Sequence, residues 1–212
     1  MHIPDGFLTP AVSAATLGLA LTGVGIASWK LRGTKTDIVK MGLVGATIFA
    51  AQMLNFPIPG GTSGHLIGGV LAAAVLGPSA AILVMTAILI VQALLFHDGG
   101  LLALGANILS MALIAPLAGW GILAATRRWL PGKAGVPALI LAGIGSVAAA
   151  ALATGLYLAA SGTAPFGSVV PAMLGWHMWI GLAEGVATVL VIRIAERRTL
   201  TPAMPEVNRH AA

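Results

Sequence analysis

The sequence has 212 residues, of which 58% are hydrophobic and 8% are charged, and its mean hydropathy is +0.98. Because soluble domains usually carry about a quarter charged residues, this composition argues against a water-soluble fold. The net charge of +5 lies in short basic runs between apolar segments, which does not indicate nucleic-acid binding, and the absence of cysteine excludes disulfides and thiolate metal sites.

The N-terminal stretch MHIPDGFL has no basic region, and the first apolar run begins only after Pro10, so we expect no cleavable signal peptide. His2 is too large for the usual removal of Met1, and a free Met1 amine is therefore expected. Pro4, Asp5-Gly6 and Pro10 favour a stiff, turn-rich start that folds back toward the rest of the chain. The alternative is an N-terminus frayed in solvent.

Apolar segments then recur along the chain, most of them near the roughly 20 residues that cross a membrane as helix. In chain order they cover residues 9–29, 38–55, 65–76, 78–96, 100–126, 135–160 and 171–195. The third is short, and Gly77-Pro78 separates it from the fourth, so the two form a tight helical hairpin or one broken helix. Merging them gives a six-span alternative.

This pattern predicts an all-α, polytopic transmembrane bundle of about seven segments. A single membrane domain is expected over residues 1–198, followed by a disordered cytoplasmic tail at 199–212, where prolines and polar residues replace the apolar runs. Gly181 and Gly185 fit the small-xxx-small spacing that allows two membrane helices to pack closely.

The seven-segment count puts all eleven basic residues on one side of the membrane. They are Lys30, Arg32, Lys35, Lys40, Arg127, Arg128, Lys133, Arg193, Arg197, Arg198 and Arg209. The positive-inside rule makes that side cytoplasmic, with the N-terminus outside and the C-terminus inside a bacterial cytoplasmic membrane. The six-span alternative would move Arg127 and Arg128 outward. Trp176 and Trp179 at the start of the last span are typical of interfacial anchors.

Histidines gather at the predicted outer face. His2, His65 and His97 lie there, and His177 lies about two turns into the last span. Neutral imidazole is the commonest protein ligand of zinc, copper, nickel and cobalt. The Met1 amine, the His2 amide nitrogen and the His2 imidazole can close adjacent five- and six-membered chelate rings, which His65 would complete with a fourth nitrogen. Such a set suits Ni(II), Cu(II) and low-spin Co(II). Taken as a lone histidine, His65 would more often be an interface residue.

Further polar residues are candidates for a second shell or an entrance. Asp98 follows His97 and would orient imidazoles or attract cations, although an ordinary polar turn is the alternative. Asn107 and Glu184 lie within apolar spans, where polar groups usually face a partner or a cavity. Glu184 either holds a ligand or proton or makes an interhelical hydrogen bond. The sequence contains no phosphate-binding loop GxxxxGK[ST], no GxSxG and no HExxH motif, so we expect no enzyme and no ATP site.

MHIPDGFL at the N-terminus and PGGTSGHLIGG around His65 resemble the substrate-binding membrane component of cobalt and nickel energy-coupling-factor importers (CbiM/NikM type). The resemblance spans the whole chain. It implies that residues 1–8 form a metal-chelating segment tucked into the bundle. The metal would be held by the Met1 amine, the His2 amide and imidazole, and His65.

The resemblance also implies a transported Co²⁺ or Ni²⁺ ion and no cofactor. Implied partners are a transmembrane coupling protein, an ATPase dimer and a small accessory membrane protein, which would be separate because this chain lacks the fused accessory segment of some relatives. That length favours the cobalt branch, which serves vitamin B12 synthesis, with nickel as the alternative.

Two other functions stay open from the residues alone. One is a stand-alone proton-coupled permease with Glu184, His177 and Asn107 as an intramembrane relay. The other is an intramembrane enzyme that holds a metal with His97, Asp98 and Glu184, a trio without a recognised hydrolase spacing.

Overall fold

Apolar residues form helices in this chain because, in lipid, each backbone N–H must find its acceptor within its own segment. The computed structural model describes residues 1–57, 63–129 and 135–200, without the side chains of 198–200. These residues form α1 (Pro10–Leu31), α2 (Ile38–Gln52), α3 (Gly69–Leu76), α4 (Pro78–Leu95), α5 (Leu104–Trp129), α6 (Gly135–Ala160) and α7 (Phe166–Leu200). A short antiparallel pair of β1 (Phe56–Pro57) and β2 (Ser63–Gly64) lies between α2 and α3.

Five of the described helices, α1, α4, α5, α6 and α7, are long and apolar enough to cross a membrane. α2 has 15 residues and is about 22 Å long at about 1.5 Å per residue. Large apolar side chains such as Leu19, Leu21 and Leu43 are exposed on the outside of the bundle, where lipid can cover them. The predicted all-α, multi-pass membrane bundle of about seven segments is confirmed.

The third apolar segment is helical only from Gly69 onward, so the prediction that it begins at 65 is wrong. With 8 residues, α3 is too short to span a membrane alone. Gly77 has a φ of +79° and Pro78 opens α4, because proline suits a first helical position and cannot continue a preceding helix. His65, four residues before α3, and Gln92, near the end of α4, contact the same side chain, His2, so the two helices form a hairpin.

The last helix begins at Phe166, earlier than predicted, and Pro171 lies inside it. Ser168 and Val169 donate their backbone N–H groups to the Pro165 carbonyl, which starts the helix before the proline is reached. Proline removes only one backbone hydrogen bond, a loss that membrane helices tolerate. Trp176 and Trp179 therefore lie well inside α7, so their predicted position at its start is wrong.

α5 contains a π-helical stretch, Ile108–Ile114, which the sequence reading did not anticipate. The Ala115 N–H bonds to the Ser110 carbonyl, one residue further back than in an α-helix. Pro116 follows directly and has no N–H to donate, and its ring needs the extra room that a wider turn provides. The distortion lies directly after Asn107, one of the candidate site residues.

α6 and α7 pack against each other through glycines in antiparallel order. A Cβ on Gly185 would lie 2.6 Å from the Cα of Ile140, and one on Gly143 would lie 2.6 Å from the Cα of Gly185. A Cβ on Gly181 would lie 2.8 Å from the Cα of Ile144. The predicted close-packing role of Gly181 and Gly185 agrees with this contact.

The basic side chains lie at the end of the bundle away from the N-terminus. Lys30 ends α1, Arg127 and Arg128 end the neighbouring α5, and Arg193 and Arg197 lie late in α7. Which end is cytoplasmic stays a prediction. Lys133, Arg209, residues 58–62 and tail residues 201–212 lie outside the described part of the chain.

Candidate metal centre

The first three residues pass into the bundle. Met1 and Ile3 are fully buried, and His2 is 5% exposed. Asn107 on α5 clamps the Ile3 backbone: its Oδ1 accepts from the Ile3 N–H at 2.8 Å, and its Nδ2 donates to the Ile3 carbonyl at 3.1 Å. The Gly100 N–H donates to the same carbonyl at 2.9 Å. Asn107 therefore holds the backbone that follows His2.

Residues 5–9 tie this segment across the end of the bundle. The Asp5 carboxylate accepts from the backbone N–H groups just before α5 begins, those of Leu101 at 3.1 Å, Leu102 at 2.7 Å and Ala103 at 3.3 Å. Free N–H groups at a helix start favour a carboxylate at that position. Near α7, the Thr163 hydroxyl donates to the Phe7 carbonyl. These contacts keep the N-terminus inserted.

The Met1 amine faces Ser63 on β2. It donates to the Ser63 carbonyl oxygen and to Ser63 Oγ, the latter at 2.9 Å. Burial lowers the pKa of this amine from 8.0 to about 4, although the nearby Asp98 carboxylate opposes the shift. The amine is therefore neutral at physiological pH and carries a lone pair that can bind a metal.

The imidazoles of His2 and His65 stack, with ring centroids 4.7 Å apart and planes 23° apart. His2 Nε2 lies 3.1 Å from Gln92 Oε1, and His65 Nδ1 lies 2.9 Å from the Leu66 carbonyl oxygen. The other ring nitrogens, His2 Nδ1 and His65 Nε2, are buried without a hydrogen-bond partner. Buried polar atoms are nearly always paired, so two orphans on adjacent rings require an explanation.

Burial also keeps both rings neutral. It lowers the pKa of His2 from 6.5 to about 3, helped by the charge of the N-terminal amine and opposed by the Gln92 contact. Burial likewise lowers the pKa of His65, with further contributions from the amine and His2. Neutral imidazole is the form that binds metal ions.

Asp98 lies beside the two rings. Its Oδ1 is 3.3 Å from His2 Nδ1 without a hydrogen bond, and its Oδ2 accepts from Asn55 Nδ2 at 3.3 Å. Burial raises the pKa of the Asp98 carboxyl. A half-buried carboxylate here supplies negative charge next to the three nitrogen groups.

His177 lies close to the site, whereas His97 does not contact it. His177 Nδ1 lies 2.7 Å from the Met173 carbonyl oxygen, and its Nε2 is buried without a hydrogen-bond partner. The ring is near enough to the Met1 amine and to His65 to interact electrostatically with both. The His97 side chain is exposed, and no described hydrogen bond or ring contact joins it to His2 or His65.

Glu184 supports the loop that carries His65. Its carboxylate accepts from the backbone N–H of Ile67 at 2.8 Å and of Val70 at 3.4 Å. Gly68, at the start of α3, has no side chain to cap that helix, and Glu184 takes this part from α7. These bonds favour the interhelical hydrogen-bond reading of Glu184. The trio His97, Asp98 and Glu184 considered for an enzyme does not converge.

Side chains alone do not build a metal site in the described residues, because no group of three or more His, Asp or Glu side chains there is arranged to hold an ion. An ion at the two imidazoles would have to take further ligands from elsewhere, and the buried Met1 amine lies at this position.

The model of the family described as "Cobalt uptake substrate-specific transmembrane region" (CbiM) matches residues 2–201. This chain belongs to the CbiM family. It is accordingly a multi-pass membrane protein.

Relatives in this family carry the names of both metals. A protein of Archaeoglobus fulgidus named for fused nickel transport is 40% identical over 194 residues, and the alignment covers 91% of this chain and 64% of that protein. The cobalt transport protein CbiM of Sorangium cellulosum is 35% identical, with 89% and 88% covered. A crystal structure of a transition metal transporter is 35% identical with a TM-score of 0.89, and 95% of each chain is covered.

Several residues around the CbiM-family site were missed in the sequence reading. They are Gln92 at His2, Ser63 at the Met1 amine, Asp5 at the start of α5, and Gln52, whose Nε2 donates to the Ile67 carbonyl at 2.6 Å. Gln52 and Gln92 are polar residues inside apolar segments, so the rule that singled out Asn107 and Glu184 would have found them. Ser63 gave no such signal.

Proposed function

We propose that this chain captures a divalent transition metal, with cobalt as the first candidate, as the substrate-specific subunit of an ATP-driven energy-coupling-factor importer. The observation that carries the proposal is the meeting of the buried Met1 amine with the stacked rings of His2 and His65, each of which keeps one unpartnered nitrogen. We assign the metal ligands to Met1, His2 and His65.

Four nitrogens form the proposed ligand set: the Met1 amine, the His2 amide, His2 Nδ1 and His65 Nε2. Amine and amide close a five-membered ring with the metal, and amide and Nδ1 close a six-membered ring. Residues 1 and 2 thus supply three ligands whose order along the chain fixes their geometry. A planar nitrogen set suits Ni(II) and low-spin Co(II) and disfavours Mg(II), which prefers octahedral oxygen.

Charge balance supports a role for Asp98. A divalent ion bound to one deprotonated amide keeps a single positive charge, which is expensive in a buried site. The Asp98 carboxylate, 3.3 Å from His2 Nδ1, would compensate that charge. We therefore propose Asp98 as a residue that supports the bound ion from outside the ligand set, and His97, Asn107, His177 and Glu184 as candidates for that role or for the entrance.

Nickel is the second candidate substrate, because the ligand set fits both ions and a relative named for nickel is 40% identical. Calorimetric titration of the purified chain with Co²⁺ and Ni²⁺, separately and in competition, tests the choice. Tighter binding of Co²⁺ supports the cobalt assignment, and tighter binding of Ni²⁺ replaces it.

Energy for uptake would come from partner proteins, since the sequence has no phosphate-binding loop. The proposed partners are a transmembrane coupling protein, an ATPase dimer and a small accessory membrane protein. In the rival stand-alone permease, Asn107 and Glu184 would relay protons, yet both side chains are engaged with backbone groups. Reconstitution in vesicles discriminates: ATP-independent uptake by the chain alone would replace the importer proposal.

The sharpest test of the ligand set is one extra residue ahead of Met1. The extension converts the amine into an amide and moves the new terminus away from His2, so Ni²⁺ and Co²⁺ binding should be lost. A C-terminal tag of the same length is the matched control and should leave binding intact, because α7 starts beside Phe7 and runs for 35 residues away from the N-terminal segment. Equal affinity of the two variants would rule out the proposed centre.

A further inference from the structure

Gln92 lies on α4 at the His2 ring and belongs to no part of the ligand set. Its side chain is fully buried, and its Oε1 is 3.1 Å from His2 Nε2. A buried amide oxygen at this distance accepts a hydrogen bond, so it favours the histidine tautomer that carries its proton on Nε2.

The tautomer matters because only one ring nitrogen can close the proposed chelate. Counting from the His2 amide nitrogen through Cα, Cβ and Cγ, the metal reaches Nδ1 in a six-membered ring, whereas Nε2 points away from the backbone. Nδ1 must then carry the lone pair and Nε2 the proton. A proton on Nδ1 would block the site.

A competing acceptor lies beside Nδ1. Asp98 Oδ1 is 3.3 Å from that nitrogen, and a carboxylate at this position attracts a proton to it. Gln92 opposes Asp98 by offering an acceptor on the other side of the ring. The lack of a hydrogen bond at Nδ1 agrees with a ring whose proton lies at Gln92.

His65 is held in the opposite tautomer. The Leu66 carbonyl oxygen, 2.9 Å from His65 Nδ1, can only accept, so the proton lies on Nδ1 and Nε2 keeps the lone pair. The two rings, with centroids 4.7 Å apart, thus each retain one unprotonated and unpartnered nitrogen. Two different acceptors on two different elements produce this complementary pair.

We propose that Gln92 is a positioning residue that fixes His2 as the Nε2–H tautomer and so keeps Nδ1 available for the metal. This inference rests on the proposed capture of a transition metal by Met1, His2 and His65. Metal binding at Nδ1 withdraws electron density from the ring and strengthens the Nε2–H donor, so the hydrogen bond to Gln92 and the metal bond stabilise each other. The amide must present its oxygen to His2, since the reverse orientation would donate to Nε2 and move the proton to Nδ1.

The test replaces Gln92 with methionine, which keeps the length of the side chain and removes the strong acceptor. Thr86→Val is the matched control, because Thr86 is buried on the same helix and its hydroxyl bonds only to the Ile82 carbonyl of its own helix, at 2.7 Å. Both variants and the parent chain are prepared full length with ¹⁵N-labelled histidine, and His2 is assigned by its absence in His2→Ala.

Nitrogen NMR of the metal-free chains reads the tautomer, and calorimetry with Ni²⁺ and Co²⁺ reads the affinity. We expect an Nε2–H tautomer at His2 in the parent chain and in Thr86→Val, and a shift toward Nδ1–H in Gln92→Met. Loss of such a supporting hydrogen bond typically weakens metal binding by about 10- to 100-fold, which we expect in Gln92→Met only.

A proton found on Nδ1 in the parent chain would overturn the inference. The inference is also overturned if Gln92→Met keeps the tautomer of the parent chain. This holds even if the variant loses metal affinity, because a loss without a change of tautomer means that Gln92 matters only for packing. His65→Ala separates this inference from the proposed function. If His65→Ala loses metal affinity and Gln92→Met does not, only the role of Gln92 is ruled out. If His65→Ala keeps full affinity, the proposed metal centre itself is ruled out.

Discussion

At the residue scale, the N-terminus is the unusual part of this molecule. A chain terminus normally lies in solvent because burying its charge is expensive. Here the Met1 amine is fully buried, and hydrogen bonds to Ser63, together with the Asn107 clamp on Ile3, offset the loss of water. The low pKa values of the amine and of His2 have the same origin, because burial favours the neutral forms.

These pKa shifts predict how metal binding depends on pH. An exposed amine has a pKa of 8.0, and the inserted amine has a pKa of about 4. At any pH between these two values, insertion of the N-terminus releases a proton from the amine. The inserted state is therefore destabilised as the pH falls from 8.0 toward about 4. His2 behaves in the same way: its ordinary pKa is 6.5 and its buried pKa is about 3, so below about pH 6.5 insertion also releases a proton from His2. If metal enters before the N-terminus inserts, the amine and the His2 amide each release one proton on binding, so Ni²⁺ affinity should fall by about a hundredfold per pH unit below about pH 8, and more steeply below about pH 6.5.

Calorimetry at constant ionic strength, in steps from about pH 8 to about pH 5, measures this dependence. The chain extended by one residue ahead of Met1 supplies the background binding to subtract. An affinity that stays level across the whole range would contradict binding coupled to insertion of a neutral amine.

At the element scale, small residues decide how closely the helices approach. Lipid supplies little hydrophobic drive for helix association, so backbone contact and van der Waals packing take its place. α6 and α7 meet through Gly143, Gly181 and Gly185, where an added Cβ would overlap the opposing backbone. This contact also orients Glu184, which lies next to Gly185 and holds the start of α3.

Gly185→Ala should therefore destabilise the bundle. A new Cβ 2.6 Å from the Ile140 Cα forces the helices apart, and overpacking of this kind costs about 1–3 kcal/mol, or a fall of at least about 3 °C in apparent Tm. Gly175→Ala on the same helix is the matched control, because nothing lies within 4 Å of its added Cβ. Thermal unfolding in detergent measures both, and a Gly185→Ala chain as stable as Gly175→Ala would contradict the packing account.

At the scale of the whole molecule, the two ends of the bundle differ in chemistry. One end holds the inserted N-terminus, Asp98 and the stacked imidazoles, and the other carries the basic helix ends. If the chain takes up a metal as proposed, the site should face the side from which the ion arrives. The positive-inside rule independently predicts the same orientation.

The orientation can be measured because the chain has no cysteine. Leu102, 74% exposed at the site end, and Thr36, exposed between α1 and α2 at the other end, are suitable positions for single cysteines. In intact cells, a membrane-impermeant maleimide should label Leu102→Cys and leave Thr36→Cys unlabelled until the membrane is permeabilised. Labelling in the reverse pattern would turn the proposed metal centre toward the cytoplasm and contradict the proposed uptake from outside.

Sequence alone was sufficient for the membrane class, for the number of segments and for candidate ligands at Met1 and His2. Hydropathy is additive along the chain, and the chelating potential of adjacent residues depends on covalent bonds only, so neither needs tertiary information. The boundary of the third segment failed because Glu184 of α7 holds the glycine-rich loop ahead of Gly69. The boundary of the last segment failed because the helix starts at the Pro165 carbonyl and continues through the internal Pro171.

Tertiary structure decided which polar residues surround the site. Gln92 and Asp98 meet His2 across about 90 positions of sequence, and Ser63 on β2 meets the Met1 amine across about 60. His177 is buried, while His97 is exposed. Both of these histidines were predicted at the same face, and only the packing of α7 against the bundle separates them. Side-chain direction and long-range pairing follow from the packing of all helices together, which no local pattern contains.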